Sequence, residues 1–187
     1  MRDVIEIPES WKTQLLEIKK TFPNAVIAGG CMRDWFIFRT RGIKDIDIFL
    51  PMTTDKEITD YLNQGEIQIR SKTKNYGNLS NDDINAVFST SIKIDELPVE
   101  FIAVDVTLDR VLERFDFGIC QIMYDGDKIS YTEQFLEDIN KCQFTLVRAD
   151  NQDQFDRSKR RFTRLTENKY PGYTFNPGKF TEFVSAV

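Results

Sequence analysis

Residues 25–50, AVIAGGCMRDWFIFRTRGIKDIDIFL, leave the chain few folds to choose from. The run 25–28 is short and wholly apolar, as a buried strand is. Gly29-Gly30 follows, and residues 31–38 read as a helix, so strand passes into helix across two residues without side chains. Residues 44–50 then alternate charge with bulk, the pattern of a half-buried strand. Strand side chains leave alternate faces, so Asp45 and Asp47 share one face while Ile46 and Ile48 enter a core. Neighbouring carboxylates repel, and one of them takes up a proton unless a cation lies between them. A divalent cation with oxygen ligands meets that need, and magnesium completes its shell with phosphate oxygens and water. The glycines expose backbone N–H groups at a helix start, where a phosphate can approach.

The chain has no histidine, which excludes histidine-based acid–base chemistry and histidine-ligated zinc and leaves carboxylates as the metal ligands. Its three cysteines, Cys31, Cys120 and Cys142, are widely spaced and odd in number, which suits reduced thiols rather than a disulfide framework. No apolar run approaches the length of a membrane span, and the N-terminus carries acids instead of an apolar signal core; a cytoplasmic protein without a membrane partner is expected. The formal net charge of −5 argues against a uniformly basic nucleic-acid binder. The charge is uneven, however: from Arg148 onward eight Lys/Arg face five Asp/Glu.

The flanking segments supply a sheet and its covering helices. Ser10 is the expected N-cap of a first helix with Trp11, Leu15, Leu16 and Ile18 on its apolar side. Thr53 or Thr54 caps a helix reaching about residue 63. Residues 66–70 read as a short strand around Ile67 and Ile69, and 71–83 as a polar loop whose Lys72 and Lys74 can touch a phosphate or stay solvated. Residues 86–94 and 97–105 form a hairpin around Asp95-Glu96. On its second strand Glu100 shares a face with Ile102 and Val104, and Asp105 points the other way. A helical turn over 108–112, two short strands over 122–125 and 128–131, and a helix over 132–140 follow. Near the end, Arg157, Arg160, Arg161 and Arg164 are spaced three and four apart, which on a helix forms one ridge. Stacked like charges call for an anion against them: a triphosphate, an RNA backbone or the acidic head itself.

The glycine turn and the Asp-x-Asp strand together resemble the nucleotidyltransferase head of the CCA-adding enzyme and bacterial poly(A) polymerase family, within the polymerase-beta superfamily. That family's pattern is Gly-Gly-x-x-Arg-Asp, a short spacer and Asp-x-Asp, and Gly29, Gly30, Arg33, Asp34, Asp45 and Asp47 fill it. The segment 113–122, ERFDFGICQI, resembles the family's Arg-Arg-Asp-Phe-Thr-Ile-Asn-Ala motif, which borders the nucleotide. Arg114, Asp116, Phe117 and Ile119 match it, whereas Phe115, Gly118 and Cys120 depart. Cys120 lacks the amide of the family's Asn, and Gln121 is the neighbour able to replace it. Residues 153–157 resemble the neck motif Glu-Asp-x-x-Arg, with Asp153 in the Glu position, Gln154 in the Asp position and Arg157 in the Arg position. In the family the Asp–Arg pair reads the incoming base. Gln154 adds a donor, so altered or relaxed nucleotide selection is expected.

The resemblance implies an α+β nucleotidyltransferase fold: a mixed, mostly antiparallel sheet with helices on one side and a short C-terminal helical neck. The head would occupy residues 1–149 and the basic neck and tail 150–187. The implied reaction moves a nucleoside monophosphate from a nucleoside triphosphate to an acceptor hydroxyl and releases pyrophosphate. Asp45, Asp47 and Glu100 would hold two magnesium ions, with Asp105 the alternative third carboxylate. ATP or CTP, or both, would be bound by Gly29, Gly30, Arg33, Asp34, Arg114, Asp116, Asp153, Gln154, Arg157 and Arg160. Arg33 either binds phosphate or pairs with a head carboxylate, and Asp34 orients a helix or the ribose. The implied acceptor is an RNA 3′ end, tRNA-like, docked on the arginine ridge. A protein or small-molecule acceptor, or a catalytically silent nucleotide- or RNA-binding module, stands as the alternative. Family members continue into a helical body, so a body-supplying partner or a second copy is the expected cover for the neck.

Overall fold

The computed structural model describes residues 6–39, 42–73 and 84–183. Thr40, Arg41 and Lys74 lie outside the described residues, as do residues 1–5, 75–83 and 184–187. The elements run α1 (Glu9–Lys19), β1 (Val26–Ala28), α2 (Gly30–Phe38), β2 (Ile46–Pro51), α3 (Asp55–Gln64), β3 (Ile69–Thr73), β4 (Ile84–Ile94) and β5 (Leu97–Val104). Two 3-10 turns, Leu108–Arg114 and Gly118–Cys120, lead to β6 (Ile122–Tyr124), β7 (Ile129–Tyr131), α4 (Glu133–Lys141), β8 (Gln143–Thr145), α5 (Gln152–Asn168) and β9 (Thr174–Asn176).

Seven strands form one sheet in the order β3-β4-β5-β2-β1-β6-β7. Within it β2 and β5 run parallel and the other described neighbours run antiparallel. This is the mixed, mostly antiparallel α+β sheet that the resemblance implies. One face carries Ile46, Ile48, Leu50, Val99 and Phe101 into a core with Trp11, Met32, Ile58 and Phe135 of the four helices α1 to α4. The opposite face carries Val26, Phe49, Ile102 and Val104 against Val111 of the first 3-10 turn. A third, aromatic cluster of Phe117, Phe144, Phe155 and Tyr170 seats α5. There β8 pairs in parallel with β9, which ties the tail back to the head.

The hairpin turn is the expected one, with Asp95 and Glu96 at φ 51° and 66°, the paired left-handed conformation of a two-residue connection. Ser10 is not an N-cap: α1 starts at Glu9 behind Pro8, and the Ser10 hydroxyl donates to the Asp95 carboxylate instead. Leu16 is exposed rather than inward. Strand β3 sits later than the sequence pattern suggests. Ile67 is spent on ending α3, its N–H bonding the Leu62 carbonyl at 2.8 Å, and Glu66 turns the chain with φ 53°. Lys72 lies on β3, paired with Asp55 at 3.1 Å and 4.9 Å above the Phe88 ring. Phe88 belongs to the helix-covered face, so Lys72 stands across the sheet from Asp47.

Candidate active site

The site is built where β1 hands over to α2 and where β2 starts. Gly29 is the N-cap of α2 at φ 76°, a conformation that favours glycine, and its N–H bonds the Ile122 carbonyl at 3.1 Å. A Cβ there would come within 2.6 Å of the Phe115 ring, which packs edge-on against Phe49 at 5.3 Å. Phe115 thus covers one side of the glycine turn. Gly30 opens the helix, with Arg33 Nη2 as the near atom at 3.8 Å from where its Cβ would stand.

Asp45 precedes β2 and Asp47 is the second residue of that strand. Asp47 pairs in parallel register with Glu100 of β5. Glu100 therefore shares a face with Asp47 and lies beside it, while Asp105 follows the end of β5 and is exposed. The Ser89 hydroxyl on β4, itself in register with Glu100, donates to the Glu100 carboxylate. Burial, then the charges of Asp45 and Glu100, push the Asp47 carboxyl up to about 7. Burial and Glu100 likewise raise Asp45, while Lys169 and Lys44 pull it down. Beneath them the Cys31 thiol is buried, and burial with the Asp47 charge raises it well above its ordinary value.

A carboxylate pushed up to about 7 by burial and then by like charges has the chemistry of a ligand for a hard cation. Among the described residues no three His, Cys, Asp or Glu side chains are gathered into a ready-made metal cage. Magnesium is commonly bound by one or two carboxylates, with water and substrate phosphates completing the shell, and Asp45, Asp47 and Glu100 fit that open arrangement.

Arg33 and Asp34 are both buried at 3% exposure. Arg33 pairs with Asp34 at 2.7 Å, its Nε donates to the Tyr170 hydroxyl at 2.7 Å, and its Nη1 donates to Cys120 Sγ at 3.2 Å. The Arg33 guanidinium also lies 4.9 Å from the Tyr170 ring centre. Asp34 accepts from the Tyr170 hydroxyl and from Lys169 Nζ. Of the two roles open to Arg33, the structure has the internal pair with a head carboxylate. Cys120, in the place of an amide, meets Arg33 inside the protein. Gln121 does not replace the lost amide: its Nε2 donates to the Leu112 carbonyl at 3.0 Å and its Oε1 accepts from Thr132 at 2.9 Å.

Asp116 joins head to neck. It accepts from Ser158 Oγ at 3.0 Å and from Arg161 Nη1 at 2.8 Å. The four arginines consequently do not form one uniform ridge: Arg161 is drawn onto the acidic head, Arg157 is half-buried, and Arg160 and Arg164 are exposed. Asp153 is exposed in the first turn of α5. Gln154 is 3% exposed; its Oε1 accepts from the Asp150 N–H at 2.8 Å, and its Nε2 is buried with no hydrogen-bond partner. Half-buried Arg114 is held below its ordinary range by burial and by the neighbouring Arg148 charge. Lys169 and Tyr170 carry no local sequence signal beyond marking the end of a helical pattern before Pro171-Gly172. A separate cleft of about 540 Å³ lies between α1, the end of α2 and β6–β7, lined by Phe36 and Tyr131 and by none of these carboxylates.

A family model described as Gad2, Gabija anti-defense 2 family protein, matches residues 7–141. No curated protein matches the chain. Among solved structures, a tRNA-processing enzyme in its apo form I is similar with a TM-score of 0.62 and 15% identity, over 96% of this chain and 47% of that one. The Bacillus stearothermophilus CCA-adding enzyme in complex with CTP gives a TM-score of 0.59 at 16% identity, over 96% and 43%. A tRNA nucleotidyltransferase complexed with a primer tRNA and an incoming ATP analog gives 0.56 at 15% identity, over 91% and 48%. The chain spans less than half the length of these structures, and at such identity the likeness shows the fold: a nucleotidyltransferase head of the CCA-adding type. The sequence resemblance to CCA-adding enzymes therefore holds for the fold, while the family that matches is the anti-defense one.

Proposed function

The chain belongs to the Gabija anti-defense 2 family, and from that premise we propose that it is a divalent-metal-dependent nucleotidyltransferase whose reaction serves an anti-defense role. The observation that carries this reading is the parallel register of Asp47 with Glu100, on a strand whose antiparallel partner β1 ends at the glycine turn. Asp45, Asp47 and Glu100 would hold two magnesium ions. Bound there, such ions supply charge neutralisation and a lowered pKa for the attacking hydroxyl. The acceptor oxygen bonds to the α-phosphorus, the bond to the β-phosphate oxygen breaks, pyrophosphate leaves with the electron pair, and the hydroxyl proton passes to water.

The chain's own residues bind and orient. Gly29 and Gly30 give a triphosphate access to backbone N–H groups at the start of α2. The Asp116 contacts with Ser158 and Arg161 hold α5 to the head, and in this reading Gln154 and Arg157 of that helix would serve the base of ATP or CTP. Gln154 would bring an amide donor where the family has an Asp, although in this conformation that donor is buried. Lys159, Arg160 and Arg164 form the exposed basic stripe of α5, suited to the phosphates of an RNA 3′ end as acceptor. A second reading, a protein hydroxyl as acceptor, is favoured by the anti-defense description of the family, since modifying a defense protein would silence it.

The test incubates purified protein with magnesium, each α-labelled nucleoside triphosphate in turn, and total RNA plus protein from cells carrying the Gabija system. Label in RNA supports the first acceptor and label in protein the second. No label in any pool, with Asp45→Ala indistinguishable from wild type, leaves a silent binding module and refutes the enzyme.

A further inference from the structure

At the end of the sheet opposite β3 stands β7, which among the described residues pairs with β6 alone. Around that pair the Thr132 N–H bonds the Gln121 carbonyl and the Asp125 N–H bonds the Lys128 carbonyl, each at 3.2 Å. Between them the register is continuous, with Ile122 opposite Tyr131, Met123 opposite Ser130 and Tyr124 opposite Ile129. Antiparallel ladders alternate hydrogen-bonded pairs with non-hydrogen-bonded ones. Bonded pairs at 121/132 and 125/128 therefore make Ser130 the residue of β7 that bonds to β6. Ile129 and Tyr131 turn their N–H and C=O groups the other way, off the open edge of the sheet.

The side chains of the same two residues line the cleft of about 540 Å³ between α1, the end of α2 and β6–β7. Tyr131 is held by Phe36 and Phe135, at ring-centroid distances of 6.4 and 5.6 Å, yet it is 46% exposed. An aromatic ring fixed in place and open to solvent attracts a cation to its face. The rim carries the matching charge: Glu6, Glu9 and Asp127 are exposed there, against Lys12 as the one cation among the lining residues. Such a rim repels phosphates, so a nucleic acid does not suit it. Strand β7 is three residues long, too short to offer the long flat edge through which copies of a chain pair. We propose that β7 and this cleft are a docking site for an extended protein segment bearing Lys or Arg. The segment adds as a strand beside β7, where the outward groups of Ile129 and Tyr131 bond its backbone, and its alternate side chains reach the aromatic, acid-rimmed cleft. The cleft is lined by none of Asp45, Asp47 and Glu100, so the proposal goes beyond the nucleotidyltransferase reading and does not depend on it.

The experiment measures fluorescence anisotropy of two short labelled peptides, one alternating Arg with Val and one alternating Glu with Val, titrated with the full chain in chelator and without nucleotide. The Arg peptide should bind, and the Glu peptide should bind at least about 10-fold more weakly. Tyr131→Ala, and separately Glu9→Gln combined with Asp127→Asn, should each weaken the Arg peptide roughly 5-fold. These side chains are exposed, so the variants should melt as wild type does. N-methylation of one alternate set of amides in the Arg peptide should abolish binding and methylation of the other set should be tolerated, because only one set faces β7. No binding of the Arg peptide, wild-type affinity in both variants, or equal loss from the two methylated sets overturns the proposal. A chain that sediments as a dimer and becomes monomeric in Tyr131→Ala also overturns it, since the edge then belongs to a second copy. Neither metal nor nucleotide is present, so failure here leaves the nucleotidyltransferase reading standing.

Discussion

Asp47 on β2 and Glu100 on β5 are direct neighbours in a parallel ladder, separated in the chain by a complete helix and two further strands. A parallel pair cannot be joined by a tight turn, so the intervening residues have to make an excursion, and here they supply β3 and β4. The consequence is two carboxylates side by side on one sheet face, with Asp45 close to both.

Burial together with that crowding makes the metal-free protein sensitive to pH in an unusual direction. Asp47 titrates at about 7 in the folded chain against an ordinary value of 3.8. The folded state then holds its proton where the unfolded state has lost it, so this group's contribution to stability is full below about pH 4 and is lost as pH rises through 7. In chelator, the melting temperature should drop between pH 5 and pH 8 by about 5 °C. Asp47→Asn should flatten that dependence, and added Mg²⁺ should raise the wild-type value at pH 8. A melting temperature that rises across the same window would contradict the assignment.

The neck interface predicts a stability effect at a distance from the carboxylates. Asp116→Ala removes the acceptor of both Ser158 and Arg161, leaving a half-buried guanidinium without its carboxylate. The expected cost is about 1–2 kcal/mol in denaturant unfolding, after allowance for solvent around Arg161. Ser158→Ala, which deletes one neutral donor, should cost less, and equal costs for the two variants would show that the ion pair contributes nothing.

The split of the arginine ridge separates folding from acceptor binding. Arg160 and Arg164 are exposed, so the double change to Ala should leave the melting temperature unchanged. If RNA is the acceptor, the same variant should bind it more weakly and with a log–log salt slope reduced by about 2. An unaltered RNA affinity and slope would remove this stripe from the RNA-binding surface.

Gln154 predicts a change in nucleotide choice. Its Oε1 is committed to the Asp150 N–H and its Nε2 has no hydrogen-bond partner. Gln154→Glu keeps the acceptor and deletes the donor, so the ratio of CTP to ATP use in a competition assay should shift. A carboxylate at this buried position should also lower the melting temperature, so the ratio is measured on folded protein, and an unchanged ratio would take the residue out of base selection.

The parts of the fold that the sequence discloses are those with short-range signals. The glycine pair ends β1, the two-residue period sets the face of Asp47, and the same period puts Glu100 with Ile102 and Val104, where the structure has them. What stays hidden depends on pairings far apart in sequence. Nothing local says that Tyr170 and Lys169 will close on Asp34, a separation of 135 residues or more. The spacing of Arg157, Arg160, Arg161 and Arg164 gives their neighbourhood on a helix but not its rotation, which Phe155, Ser158 and Phe162 decide by packing toward the head. The amide expected of Gln121 fails for the same reason, because its partners Leu112 and Thr132 lie in other elements.

The most direct measurement is magnesium-dependent pyrophosphate release from a nucleoside triphosphate in the presence of acceptor, compared between wild type and Asp47→Asn. The account predicts steady release by wild type, abolished by chelator. It also predicts a loss of at least ~100-fold in an Asp47→Asn variant that remains folded and still carries Glu100 and Asp45. Equal release by the two proteins, or none from wild type with any nucleoside triphosphate and either acceptor class, would contradict it.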